Sequence, residues 1–436
     1  MLFKRAMLLV CAVSIFLPLA AGATTNNPAI DIQQAPARPK NIIIMIGDGM
    51  GPEYTSAYRY YQDNPNTEEV EETVFDRLLV GMASTYPARV SGYVTDSAAS
   101  ATALSSGIKT YNGAIGVDEH KKPISSIMQI AKKKGMSTGV AVKSQVNHAT
   151  PAGFLAHNES RQNYVAIAES YIDTDADVIL GGGQRYFSET LINKFKDKGY
   201  QYITELSQLD SVKKPKVLGL FADIELPLAV NDKDINSLTI ETKKAISLLS
   251  QNPNGFVLLV EGSLIDWGGH DNDIVSAMGE MEEFANTIEV VEQYVRDHPD
   301  TLVVITADHN TGGLSIGANG VYAWDPQLIK GVNASPKHIA EKANEDQNWQ
   351  QNMITSLGFT PDSHELQTLA DAREEGTKAL TTAIKQLISL KSNTGWTSGG
   401  HTGVDVQVFA DGPGANLFRG HQDNTDIAKK MISLLP

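Results

Sequence analysis

The sequence predicts an α/β fold, three α/β/α layers around a large central sheet that is mixed but mostly parallel, with a helical insertion near its C-terminal end. Three observations carry this. Short β-branched runs alternate with longer helical patterns from about Lys40 onward, the signature of a layered α/β sheet. Several of those runs are apolar throughout, as strands covered on both faces must be. The alternation fails between about Asp325 and Lys391, where helix-like patterns follow one another with no strand between.

Taken in order, Lys4 and Arg5 precede an apolar run from Ala6 to Ala20 and then Ala21-Gly22-Ala23, so residues 1–23 read as a secretory signal peptide with a small-residue cleavage site. The run is shorter than the ~20 residues of a spanning helix, which leaves no membrane contact after signal removal and a periplasmic or secreted product. Residues 24–39, rich in Ala, Pro, Asn and Gln, read as a flexible lead-in. The folded domain then occupies residues 40–436. Its strand candidates are Asn41 to Ile46, Ser137 to Val142, Asp177 to Leu180, Val217 to Phe221, Phe256 to Val260, Thr301 to Thr306 and Val404 to Ala410. The insertion, residues 325–391, is polar, contains Trp349 and carries helix-like stretches from Ser335 to Met353 and from Ser363 to Leu390.

The only cysteine, Cys11, falls inside the signal, so the expected mature protein has no disulfide and is held by its core and by bound metal. With 36 Lys and Arg against 51 Asp and Glu the net charge is -15, and loss of Lys4 and Arg5 makes it more negative. Nucleic acid is therefore excluded as a partner, because phosphate-backbone binding needs a basic footprint. A phosphorylated small molecule is not excluded, since divalent cations invert the local field.

Several strand candidates end in residues suited to metal chemistry, and open α/β sheets bind ligands beyond the carboxyl ends of their strands. Asn41 to Ile46 runs into Gly47-Asp48-Gly49-Met50-Gly51, where Asp48 offers a hard oxygen donor, although such a sequence also makes an ordinary tight turn. Phe256 to Val260 leads to Glu261, Asp266 and His270. An Asp and a His four apart face one ion on a helix, but Gly268 and Gly269 favour a shaped loop. Thr301 to Thr306 leads to Asp308-His309, a carboxylate and an imidazole that suit zinc and also suit a solvated strand end. His401 lies in a glycine turn before the last strand. In Val94-Thr95-Asp96-Ser97-Ala98-Ala99-Ser100, small residues follow Ser97 into a helix. Either Ser97 is a nucleophile at a helix N-terminus, where the dipole favours negative charge, or Asp96 or Ser97 simply caps that helix.

Together these segments resemble the alkaline phosphatase family, in order as well as in content: Asp48 in Gly-Asp-Gly-Met-Gly, Asp96-Ser97-Ala98, His148-Ala149-Thr150-Pro151, Arg161, Glu261 to His270, Thr306 to Gly313, and Gly400-His401-Thr402. The resemblance runs from about Lys40 to the C-terminus and is weakest in the insertion. It implies hydrolysis of small phosphate monoesters through a phosphoserine at Ser97, with two zinc ions and one magnesium ion. Asp266, His270 and His401 are implied as ligands of the first zinc, and Asp48, Asp308 and His309 as ligands of the second. Asp48 would bridge to magnesium, with Thr150 and Glu261 as its other ligands, and Arg161 would clamp two phosphoryl oxygens.

Where one bacterial version of the family has Asp and Lys, this chain has His148 and Trp267. The pair is similar to that of some marine and cold-adapted enzymes. It implies that His148 meets the magnesium site as an outer contact, that both residues border the substrate, and that turnover keeps a standing need for magnesium with easier phosphate release; the alternative is that both are packing residues. Family dimers often cover the site with an insertion before the last zinc histidine, so a homodimer is implied, with residues 325–391 shaping access or a subunit contact. The competing readings are a phosphodiesterase or a sulfatase of the same superfamily, and an exported metal- or phosphate-binding protein without turnover. Ser97-Ala98-Ala99-Ser100-Ala101 lacks the Pro and Arg signature of a sulfatase.

Overall fold

In the computed structural model, which describes residues 38–232 and 236–436, ten strands form one sheet. In chain order they are β1 (Asn41–Gly47), β2 (Leu79–Ser84), β3 (Ser137–Gln145), β4 (Val178–Gly182), β5 (Gln201–Ile203), β6 (Val217–Leu220), β7 (Phe256–Gly262), β8 (Thr301–Ala307), β9 (Val406–Asp411) and β10 (Gly420–Asp423). Across the sheet their order is β10-β2-β9-β8-β1-β7-β3-β4-β6-β5. Every pairing is parallel except the two made by β9, which runs antiparallel to β2 and to β8. The signal and nearly all of the lead-in expected from the sequence lie outside the described residues, among which no helix is long and apolar enough to cross a membrane.

The seven expected strands correspond to β1, β3, β4, β6, β7, β8 and β9, with ends shifted by one to three residues. Central strands β1, β3, β7 and β8 are buried along their whole length, which is why their apolar runs were legible. The three strands without a sequence signal are β2, β5 and β10. Each is partly exposed, and β5 and β10 form the two edges of the sheet. A short edge strand needs no two-sided apolar run.

Helices cover the sheet. The long helix Ile274–Asp297 packs with Pro52–Gln62 and Ser237–Leu249, while Ser97–Ser106 packs with Ala149–Leu155 and Asn424–Leu434. The segment after Asp325 holds five helices, Pro326–Gly331, Pro336–Glu345, Trp349–Leu357, Ser363–Glu374 and Thr377–Ser392. Both long stretches expected there are broken. The first stops at Asp346, and the second at Gly376, whose φ of 107° ends a regular helix.

Behind the sheet, the ammonium of Lys143 on β3 is buried and pairs with Glu280 and Glu283 of the long helix. Glu241, in the helix Ser237–Leu249, is fully buried beside them, and neither of its carboxyl oxygens has a partner. Burial first, and the charge of Glu283 second, push its pKa well above the ordinary glutamate value. A carboxyl raised on folding adds stability below its unfolded pKa. That contribution is lost as pH climbs toward the folded value, at up to about 1.4 kcal/mol per pH unit. Glu241→Gln keeps the shape and has no proton to lose. Its thermal midpoint is expected to exceed wild type at about pH 9 and to converge on it near pH 5. Equal midpoints at both values would show that Glu241 carries no such strain.

Candidate metal and catalytic centre

Register brings the site together. Ile46 of β1 stands level with Glu261 of β7 and with Thr306 of β8, and Gly47 with Gly262 and Ala307. Three neighbouring parallel strands therefore end at one edge, and the residues just beyond them meet. Asp48 follows β1 in a turn closed by Gly49 at φ +69°, where a Cβ would lie 2.7 Å from Thr311 Oγ1 and 2.9 Å from Asp266 Cα. Only glycine fits both that conformation and that space. The Gly49 N–H donates to Asp308 Oδ1 at 3.0 Å, tying the β1 and β8 ends together.

After β7 the chain enters the helix Leu264–His270, which sets Asp266 and His270 on one face. The loop expected from Gly268 and Gly269 is thus a helix. The glycines serve packing, since a Cβ on Gly268 would lie 2.8 Å from the Ala277 backbone N and one on Gly269 would strike the Tyr54 hydroxyl. His401 arrives by a two-residue antiparallel ladder opposite Thr311, and its ring stacks on His309 with centroids 3.6 Å apart. Asp96 caps the helix Ser97–Ser106, its side chain accepting from the Ala99 N–H at 2.9 Å. Ser97 is the first residue inside that helix, and its hydroxyl lies 3.1 Å from His309 Nε2. The two readings of this turn divide between adjacent residues: Asp96 is the cap, and Ser97 faces the site.

The imidazole tautomers follow from their partners. His270 Nδ1 lies 2.7 Å from the Gly399 carbonyl and His401 Nδ1 lies 2.8 Å from the Thr95 carbonyl. A carbonyl only accepts, so each Nδ1 carries the proton and each Nε2 bears a lone pair. Those two lone pairs face each other at 3.2 Å, with Asp266 Oδ2 3.3 Å from His270 Nε2 and Oδ1 3.7 Å from His401 Nε2. For His309, the Thr311 hydroxyl donates to Asp266 Oδ1 and accepts from Nδ1 at 3.2 Å. The His309 Nε2 lone pair then points at Asp308 Oδ2, 3.2 Å away, and Asp48 Oδ1, 3.5 Å away.

Lone pairs and carboxylates converging in a buried space repel unless a cation lies between them. Asp48, Thr150, Glu261 and Asp308 are fully buried. Both oxygens of Asp48, one each of Asp308 and Glu261, and the Thr150 hydroxyl have no hydrogen-bond partner. Burial, then the charge of Asp308, holds the Asp48 pKa well above the carboxylate range. Burial pushes Glu261 up to about 7, and burial with the charge of His401 holds His309 well below the ordinary histidine value. Among the described residues three groups have the spacing to hold a cation: Asp266 with His309 and His401, Asp48 with Asp308 and His309, and Asp48 with His148 and Glu261. Asp48 belongs to two of them.

Arg161 closes the other side. Its Nη1 donates to Asp96 Oδ2 at 3.0 Å and its Nη2 to His148 Nε2 at 3.2 Å. His148 therefore carries its proton on Nδ1, which is buried without a partner. Burial and the neighbouring guanidinium push its pKa down to about 3, so the ring is neutral. The Trp267 ring meets His148 edge-on at 6.3 Å.

Other contributors went unassigned from sequence. Asp96 orients Arg161. Thr311 sets the His309 tautomer. Ser100 donates to the Asp308 carbonyl at 2.7 Å and accepts from Asn424 at 3.2 Å, clamping the Ser97 helix to the end of β8. Ser100 lies one helical turn after Ser97, which is a usable signal; the carbonyls of Thr95 and Gly399 leave none.

Comparison with known proteins gives one direction. A family profile described as alkaline phosphatase matches residues 39–436. Alkaline phosphatase 3 of Bacillus subtilis is 45% identical over 412 residues, covering 91% of this chain and 89% of the relative. The crystal structure of a cold-active alkaline phosphatase from the psychrophile Shewanella sp. is 67% identical with a TM-score of 0.90, covering 91% of this chain and 100% of that one. A variant of the TAB5 alkaline phosphatase, described with Mg bound in the M3 site, is 27% identical with a TM-score of 0.70, covering 92% and 99%.

Proposed function

The chain belongs to the alkaline phosphatase family and is a metal-dependent phosphomonoesterase, and on that footing we propose that its turnover runs through a phosphorylated Ser97. The observation that carries this is the Ser97 hydroxyl at a helix N-terminus, 3.1 Å from His309 Nε2 and beside the carboxylates of Asp48 and Asp308. Two zinc ions and one magnesium ion suit the donors. Asp266 and His401 would hold the first zinc together with His270, whose Nε2 lies 3.3 Å from Asp266 Oδ2 and 3.2 Å from His401 Nε2, which leaves His309 to the second zinc with Asp48 and Asp308. The oxygens of Asp48, Thr150 and Glu261 would hold magnesium. Bound there, the cations supply the positive charge that acidifies the serine hydroxyl and offsets the phosphoryl and leaving oxygens.

The chain's own residues do the rest. Ser97 Oγ gives its proton to solvent water and forms a bond to phosphorus as the bond to the ester oxygen breaks, and the departing alkoxide takes a proton from water and leaves as the alcohol. Arg161, aimed by Asp96, donates to two phosphoryl oxygens and holds them in the plane between nucleophile and leaving group. The first N–H groups of the Ser97 helix face the same negative charge. Water then attacks the phosphoserine from the side the alcohol left, releasing inorganic phosphate and restoring the hydroxyl. The neutral His148 stands as an outer contact of the magnesium site through its Nδ1–H, and with Trp267 walls the phosphate.

Export after removal of residues 1–23, to the periplasm or medium, belongs to the same reading. So does a homodimer, supported by the exposed apolar side chains Val90, Tyr93 and Val94 on the stretch that leads to Ser97. The test is an assay of a chromogenic phosphate monoester and the matching diester on chelated enzyme, with zinc alone or zinc and magnesium restored. The monoester is expected to be the faster substrate, and full rate to need both metals. A faster diester would favour the phosphodiesterase reading, and full rate with zinc alone would remove the role given to magnesium.

A further inference from the structure

Of the residues around the first zinc position, His270 is the least enclosed. Its side chain is 41% exposed, against 13% for His401 and 5% for Asp266. It also ends a helix of only seven residues, whose last carbonyls are met by the backbone N–H groups of Asp271, Asn272 and Asp273 in the turn that follows. Just beyond it the backbone turns through Asn272 at φ 51°. The placement of the imidazole therefore depends on how firmly that turn is held.

Two elements hold the turn. From the loop before β9, Gly399 accepts from His270 Nδ1, and the Asn272 amide, oriented to satisfy its partners, donates to the Ser398 carbonyl at 2.8 Å and the Gly269 carbonyl at 3.0 Å. From the insertion, Lys385 in the helix Thr377–Ser392 donates to the Asp271 carbonyl at 2.6 Å. The Lys385 side chain is only 18% exposed, and its ammonium is 3.7 Å from the Asp271 carboxylate, which is itself 75% exposed. A cation at a helix C-terminus also complements the helix dipole. Asp273, two residues further, caps the long helix Ile274–Asp297 through Val275 and Ser276. Lys385 thus reaches the junction between the helix bearing His270 and the longest helix of the fold.

We propose that Lys385 is a positioning residue for His270, acting through the Asp271 carbonyl, and that the insertion thereby governs how firmly the first zinc is retained. This rests on the reading above that Asp266, His270 and His401 hold a cation. A plain surface ion pair with the Asp271 carboxylate would do no such work, and that contrast defines the experiment.

Zinc-loaded wild type, Lys385→Met, Lys385→Arg and Asp271→Asn are mixed with a chromogenic chelator, and zinc release is followed alongside the thermal midpoint. Lys385→Met keeps the stem and is expected to release one zinc equivalent at least about tenfold faster, the usual scale for losing support of a ligand. Lys385→Arg restores slow release, and Asp271→Asn stays within about twofold of wild type. Excess zinc returns kcat of Lys385→Met with KM unchanged, which a general folding defect would not allow. Release from Lys385→Met at the wild-type rate overturns the proposal. So does equally fast release from Asp271→Asn, or a lowered midpoint with unchanged release. A wild type that retains no zinc would instead sink the underlying assignment of the cation site.

Discussion

Replacing Ser97 by alanine is expected to lower phosphate monoester turnover by about a thousandfold or more, the scale for removing a nucleophile, while leaving the cations in place. The neighbouring hydroxyls are already committed. Thr311 donates to Asp266, and Ser100 donates to the Asp308 carbonyl. Neither can take over without breaking a contact that shapes the site. Asp48, Asp308 and His309 are untouched by the change, so zinc content measured on the purified variant should equal wild type. Acid-quenched wild type turned over with a labelled monoester should carry phosphate on protein, and the variant none. A variant that keeps a tenth of wild-type activity would rule out Ser97 as the nucleophile.

The second large effect belongs to Asp48. Its two buried, unpartnered oxygens face both the Asp308–His309 group and the His148–Glu261 group, so one substitution weakens two cation positions. Asp48→Asn is expected to weaken metal binding at least about 100-fold, beyond the range for supporting residues, with activity falling in step. Stability should change sign with the metal. Without cations, Asp48 sits among Asp308, Asp266 and Glu261, whose charges oppose its ionisation, and removing one carboxylate relieves that repulsion. Chelated Asp48→Asn should therefore melt above chelated wild type, whereas metal-loaded wild type should melt above the variant. Calorimetry with and without chelator reads both orders. A variant that melts lower in both states would show that Asp48 is a packing residue.

Legibility followed burial. The runs Ile42-Ile43-Ile44 and Val257-Leu258-Leu259 announce strands because both of their faces are covered, while Gly420–Asp423 and Gln201–Ile203 pair at edges where water takes one side. Gly268 and Gly269 misled in a specific way. Glycine within a helix costs stability, and here that cost is accepted because Ala277 and Tyr54 leave no room for a Cβ. In the insertion the helical period was visible, but the breaks at Asp346 and Gly376 were not.

The sequence by itself determined which groups are present and which segments would be strands: carboxylates and imidazoles placed directly after apolar runs, a serine opening a helix, and motifs in the order of a known family. Only the tertiary structure decided how those groups are oriented. Parallel register levels the ends of β1, β7 and β8, and carbonyls from Thr95 and Gly399 choose the imidazole tautomers. The physical reason is that every backbone carbonyl is chemically the same in a sequence, so its power to set a proton on His401 or to be held by Lys385 exists only once distant parts of the chain are packed together.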